Sequence, residues 1–294
     1  MGDRIAQGLG IEAVHVHGSR PSELGLAAAR GALAQAQADA EGVGLIIDCS
    51  TLPGDHSLPW SLANLLAHEL GCREVMAFST QGAGCAGLLV ALRVANALLT
   101  REPRLGPALL VASDCVPAGG RSCLPISVMG DASSAVVLGA ASSEHQRKAP
   151  RLLSVVTSTL GAHHAVVTGH GCPPLLKIDG RAFEDRILPL HFVMCRRILL
   201  RALSGAGRRW EDIAHLVYPN TSLLDRDSVV RALGLTHSQL CGPGPQHLGH
   251  AFASDLVLNF PSPCPPLDAR QCLGLLAAGS GFTWGAAILG PGEG

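Results

Sequence analysis

The chain has 294 residues, a formal net charge of −1, 47% apolar and only 15% charged residues, and 35 glycines. Such a chain can bury the core of one large α/β unit or two intimate ones, and is neither disordered nor fibrous. Its Lys and Arg residues are scattered among acids and only 3% of residues are aromatic, which argues against nucleic-acid binding.

Apolar periodicity predicts a helix over 26–38, a strand over 43–48, a turn-rich stretch over 51–56 and a helix over 59–70. After Gly71 come a strand at 75–79, a glycine-rich elbow, a long buried helix to about residue 99, and strands at 108–113 and 134–138. A polar joint, 141–151, leads into a second half in similar order. There the pattern predicts a helix over 183–203, a strand over 213–218, a helix ending at Leu233-Gly234, a helix over 253–260, and strands at 273–278 and 285–289. Leu109-Leu110-Val111-Ala112-Ser113 resembles Leu275-Leu276-Ala277-Ala278-Gly279, and 134–139 resembles 285–290, so two similar α/β halves stacked face to face are expected.

The elbow reads Phe78-Ser79-Thr80-Gln81-Gly82-Ala83-Gly84-Cys85-Ala86-Gly87. A thiol at a helix N-terminus faces unpaired N–H groups and the positive end of the helix dipole, which favour thiolate. The interval from Leu70-Gly71 to Cys85 nearly equals that from Leu233-Gly234 to His250. Both residues thus occupy matching elbows, and a pseudo-twofold would bring imidazole to thiol, the pair that nucleophilic cysteine chemistry needs.

The ten cysteines show no CxxC pair and no zinc spacing, so reduced thiols are expected, with neither a metal site nor a disulfide framework. No secretory signal and no uninterrupted apolar run of membrane length is seen, which predicts a soluble, cytoplasmic protein.

Cys85-Ala86-Gly87, the segment Val128-Met129-Gly130-Asp131-Ala132 and the C-terminal Gly281-Phe282-Thr283-Trp284-Gly285 together resemble the thiolase superfamily, and within it the ketoacyl-acyl-carrier-protein synthase III group. The resemblance covers nearly the whole chain. It implies a thiolase fold of duplicated βαβ halves in a five-layered α-β-α-β-α sandwich, with residues 1–145 carrying the nucleophile and 146–294 the catalytic histidine. It also implies a dimer, and an acyl group passing through a Cys85 thioester.

That family pairs its cysteine with a His in a Pro-His-Gln-Ala-Asn motif and an Asn in a Gly-Asn-Thr-Ser motif. Here the first reads Pro219-Asn220-Thr221-Ser222 and the second Gly249-His250-Ala251-Phe252-Ala253-Ser254-Asp255, as though His and Asn had exchanged places. The chain is similar in this to the acyltransferase branch of synthase III homologues in natural-product assembly, including polyketide and antibiotic biosynthesis. That similarity implies Cys85 as acyl acceptor, His250 as base and Asp255 as its orienting carboxylate, with oxyanion donors from Cys85 and the Gly279-Ser280-Gly281 loop. Asn220 either donates to a carbonyl or holds the turn after its strand. His163 and His164 either assist proton transfer or are loop histidines, and Trp60, in a loop that resembles one closing a neighbour's acyl tunnel, is a candidate for shortening the pocket.

Residues 3–11 resemble the family's coenzyme-A-gripping segment with Arg4 near its Trp position and Gly8 near its Arg, so the adenine clamp is expected to be lost and the first central strand missing or otherwise supplied. A phosphopantetheine thioester on an acyl carrier protein then fits better than free acyl-CoA, with no tightly bound cofactor. An acidic carrier needs a basic cluster, for which Arg196, Arg197 and Arg201, or Arg208 and Arg209, are candidates. Three readings stay open: an acyltransferase to a hydroxyl, amine or thiol; a decarboxylative condensing enzyme using His250 and Asn220; and a non-catalytic partner in a heterodimer with a fuller synthase.

Overall fold

The structure, a computed structural model, describes residues 8–56, 59–123, 126–140, 144–170 and 175–292. In the first half, helix α1 (Pro21–Ala36) precedes β1 (Leu45–Asp48), α2 (Leu62–Glu69) precedes β2 (Met76–Ser79), and α3 (Gly87–Arg101) precedes β3 (Ala108–Asp114). A short antiparallel pair, β4 (Ser122–Cys123) with β5 (Ser127–Val128), comes before β6 (Ala132–Leu138). The four longer strands form one sheet in the order β2-β1-β3-β6, parallel except for β6.

In the second half, β7 (Arg151–Thr159) is followed by an antiparallel pair, β8 (Val167–His170) and β9 (Leu175–Ile178). Helix α4 (Leu188–Gly205), β10 (Ile213–Val217), α5 (Leu223–Leu233), the short α6 (Asp255–Leu258), β11 (Cys272–Gly279) and β12 (Thr283–Gly290) complete the chain. The second sheet runs β10-β11-β12-β7. Its parallel β10–β11 and antiparallel β11–β12 repeat β1–β3 and β3–β6. The halves differ at their edges: β2 has only a single bridge, Leu216 to Leu240, as its counterpart, and β7 flanks β12 where β6 has no further strand among the described residues.

Alternating side chains make five layers. In the first sheet Leu45, Ile47 and Leu110 face the central helix α3, and Ile46, Leu109 and Val111 face α1 and α2. In the second, Leu273, Leu275 and Ala287 face the centre, while Leu276, Trp284 and Ile288 pack toward α4 and α5. Sheets covered on both faces read as continuous apolar runs, which is why their strands stand out in the sequence.

Three expectations need correction. Helix α1 begins at Pro21, five residues before its apolar period, because proline suits the first helical turn and Glu23 accepts the Arg20 N–H to cap it. The helix expected over 253–260 is a 3-10 turn followed by the four residues of α6, because Pro261 disfavours helical backbone just before it and supplies no N–H. Segment Gly84–Arg101 is, against the sequence reading, long and apolar enough to cross a membrane, yet it packs between the two sheets as a core helix does. Residues 141–143 of the expected joint, Ser57 and Leu58 of the Trp60 loop, and Arg4 lie outside the described residues.

Candidate active site

Cys85 sits in the 3-10 turn Gly84–Ala86 that opens α3, and the strand β2 ends just before its elbow. The elbow seats directly on the 279–281 loop after β11. A Cβ on Gly279 would stand 1.7 Å from the Ala83 carbonyl oxygen, so only glycine permits this approach.

His250 is stitched to the other half. Its N–H donates to the Val128 carbonyl at 2.9 Å, and its own carbonyl accepts from Gly130 N–H at 2.9 Å. Gly130 allows the crossing, since a Cβ there would meet the Leu248 oxygen at 2.1 Å. The next residue, Asp131, anchors this strap. It takes two hydrogen bonds from the Arg121 guanidinium at 2.9 and 2.8 Å and further bonds from the Val116 and His17 amides. Burial opposes its charge, but these donors hold its carboxyl below the usual range.

The two elbows meet. Cys85 Sγ lies 2.9 Å from His250 Nε2, and His250 Nδ1 lies 2.5 Å from Asp255 Oδ2. Asp255 also accepts the Asn220 N–H at 2.7 Å and the Ala251 N–H at 2.9 Å, and it is fully buried. With Nδ1–H committed to a fixed carboxylate, Nε2 is the basic nitrogen presented to sulfur. Burial disfavours an imidazolium, yet the neighbouring Cys85 sulfur and Asp255 carboxylate outweigh it and hold His250 well above the ordinary histidine range.

Asn220 enters this set through its backbone. Its side-chain oxygen accepts from Asn259 Nδ2 at 2.8 Å and from Arg226 at 3.3 Å, while its Nδ2 has no partner among the described residues. Asn220 is fully buried and does not line the cavity that Cys85 opens into.

That cavity has a volume of about 420 Å³. Its walls are mostly apolar, with Leu9, Met129, Phe183, Phe252 and Phe282 among them, and the Gly279-Ser280 loop reaches it beside Cys85. Gly281 packs behind that loop against the Gly82 carbonyl. His164 is exposed and away from the cavity. Trp60 packs against His56, Gly54 and the outer core of α1 and α2, so it does not shorten this chain's own cavity.

Cys123 lines the same cavity, but burial, with a smaller contribution from Cys85, pushes its thiol up to about 12, which leaves it unreactive beside Cys85. Asp114 was not singled out from sequence. It is fully buried, accepts the Thr51 and Leu52 amides at 2.8 and 2.7 Å on one oxygen, and leaves the other without a partner. Burial raises it to about 7 against the pull of those amides. Nothing in the local pattern Ser113-Asp114-Cys115 announces this; it follows from β3 ending under the Thr51 loop.

A doubled sandwich whose halves bring a cysteine and a histidine together at matching elbows has the thiolase fold. The comparisons agree. No family model matches the chain. The beta-ketoacyl-[acyl-carrier-protein] synthase III of Rhodospirillum rubrum is 29% identical over 300 residues, spanning 97% of this chain and 89% of that protein. Among solved structures, ChlB3, an acyltransferase, superposes with a TM-score of 0.82 at 26% identity, covering 98% of this chain and 89% of its own. Synthase III (FabH) of Pseudomonas aeruginosa PAO1 gives 0.80 at 22% identity, over 99% and 90%. The chain has the thiolase fold and is similar along nearly its whole length to ketoacyl-acyl-carrier-protein synthase III, a likeness that supports an enzyme that transfers or condenses acyl groups.

Proposed function

We propose that the protein is an acyltransferase that moves an acyl group from a carrier-protein or CoA thioester, through a Cys85 acyl-enzyme, to a hydroxyl, amine or thiol acceptor. One observation carries this reading: the unbroken Cys85–His250–Asp255 chain, combined with an Asn220 that is buried and does not line the cavity. Decarboxylative condensation needs two donors on the thioester oxygen while the enolate forms. With Asn220 outside the cavity lining, His250 is left as a general base, which is what transfer to a protic acceptor needs.

Cys85 gives its proton to His250 Nε2 and attacks the thioester carbonyl. Asp255 stabilises the imidazolium. The backbone N–H of Cys85 and the 279–281 loop hold the developing oxyanion, and the carbon–sulfur bond to the pantetheine arm breaks as His250 returns the proton to that sulfur. The acceptor then loses its proton to His250 and attacks the acyl carbonyl, and Cys85 leaves with the proton that His250 returns.

An acyl carrier protein is the inferred donor, supported by the relative named for it and by exposed Arg197 and Arg201 on α4. Of the other candidate arginines, Arg196 lies over the Trp210 ring, Arg208 donates to Ala269 and Arg209 pairs with Asp212. The unpaired outer edge of β2 among the described residues supports a dimer, either of identical chains or with a fuller synthase.

Intact mass spectrometry with a panel of acyl-carrier and acyl-CoA thioesters tests the reading. An adduct that requires Cys85, turned over to an added nucleophile without release of carbon dioxide, is expected. Carbon dioxide from a malonyl thioester would instead establish condensation, and no adduct from any donor would point to a partner subunit.

A further inference from the structure

The cavity has a second polar wall that the Cys85 chemistry does not use. The chain's single tyrosine, Tyr218, follows β10 directly and is fully buried, and its hydroxyl donates to Asp225 Oδ2 at 2.8 Å. Thr221 donates to the same oxygen at 2.5 Å. His191 Nε2, on the first turns of α4, lies 2.9 Å from the Tyr218 oxygen. Since Tyr218 spends its proton on Asp225, His191 Nε2 donates and its Nδ1 is an acceptor. Asp225 Oδ1 lies 3.8 Å from His191 Nε2 and accepts no hydrogen bond among the described residues. Trp284 lines the cavity too, fully buried, and its indole N–H has no partner.

We infer that Asp225, Tyr218, His191 and Trp284 form a recognition subsite for a hydroxyl-bearing acceptor. The inference deepens the acyltransferase reading, on which the acceptor's fate rests. The wall offers open acceptors on Asp225 and His191 and a stranded donor on Trp284. A hydroxyl both donates and accepts and can meet both kinds. An ammonium has no lone pair for the indole N–H, and a thiol is a weak partner for either. Asp225 is only partly buried, and on the wall of an otherwise apolar chamber its second oxygen, the first being held by two hydroxyls, is the acceptor to which a ligand hydroxyl would donate.

The test is a ligand-observed NMR titration of the thioester-free protein with trans-1,2-cyclohexanediol and with its dimethyl ether, which has the same apolar body and no O–H donor. The wild type is expected to bind the diol about tenfold or more tightly than the ether, and Asp225→Asn to close that gap. Tyr218→Phe, which removes only the phenolic hydroxyl, is expected to narrow it and stands in if the Asp225 variant does not fold. Equal affinity for the two probes in the wild type, no binding of the diol, or an unchanged gap in both variants would overturn the subsite. Because no thioester is present, these outcomes are separate from whether Cys85 acylates. If it does, the loaded enzyme is expected to acylate the diol and not the ether.

Discussion

Cys85 Sγ and His250 Nε2 stand 2.9 Å apart although 165 positions separate them in the chain. Neither elbow could produce this contact alone. It requires the Gly130 strap to hold His250 from one side and Asp255 to hold it from the other. The sulfur and the carboxylate together set the histidine's protonation, so the couple works as one unit.

Asp255→Asn is expected to cost transfer about 10⁴-fold, as loss of the orienting carboxylate does in serine triads. An amide there can present an N–H to the backbone donors of Asn220 and Ala251, so stability should also fall, by about 1–3 kcal/mol. Single-turnover rates alongside denaturant unfolding separate the two effects. Transfer within tenfold of wild type would remove Asp255 from the reaction.

Asn220→Ala separates the two chemistries. Its side-chain oxygen answers Asn259 and Arg226, both buried, and its contribution to Asp255 is a backbone N–H that alanine keeps. Stability is expected to drop by about 1–3 kcal/mol. The rate of Cys85 loading should change by less than about tenfold. A collapse of turnover in a correctly folded variant would return Asn220 to the chemistry and favour condensation.

Asp114 makes stability depend on pH. Its folded pKa, about 7, is above the unfolded value, so between roughly pH 4 and 7 the native state holds a proton that the unfolded state has lost. Stability is therefore highest below that window and declines as pH rises toward 7. Asp114→Asn removes this dependence: relative to wild type it should gain stability from pH 5 to pH 8. Parallel curves for the two proteins by urea titration would show that Asp114 is ionised throughout.

Much of this was legible in the sequence because both sheets are buried on both faces. Unbroken apolar runs such as Leu109–Val111 mark such strands, and the repeated segments fixed which strands correspond. The Cys85–His250 juxtaposition was readable because matched elbows in a duplicated chain meet at its axis, whereas Asp255 came from the resemblance to the acyltransferase branch. Asn220 was ambiguous because its side-chain direction depends on Arg226 and Asn259, and the latter is 39 positions away. His191, Tyr218 and Asp225 gave no signal at all. They come from three different elements, and only the packing of α4 and α5 over β10 gathers them on one wall. Trp60 misled because a bulky loop residue reads alike whether it faces a pocket or an outer core.

Gly279→Ala tests the seat of the nucleophile. Its Cβ would fall 1.7 Å from the Ala83 oxygen and 3.0 Å from the Ala86 nitrogen, both backbone atoms of the Cys85 elbow, so no side chain can move to make room. Either the elbow or the 279–281 loop must shift. The expected loss exceeds about 3 kcal/mol, and the surviving folded fraction should load acyl groups slowly because the oxyanion donors no longer converge. Gly161→Ala is the control: that glycine is exposed and a Cβ there meets nothing within 4 Å, so stability should stay within about 0.5 kcal/mol of wild type. Thermal unfolding with intact-mass loading kinetics reads both variants. A stable, fully active Gly279→Ala protein would mean that the elbow does not rest on this loop.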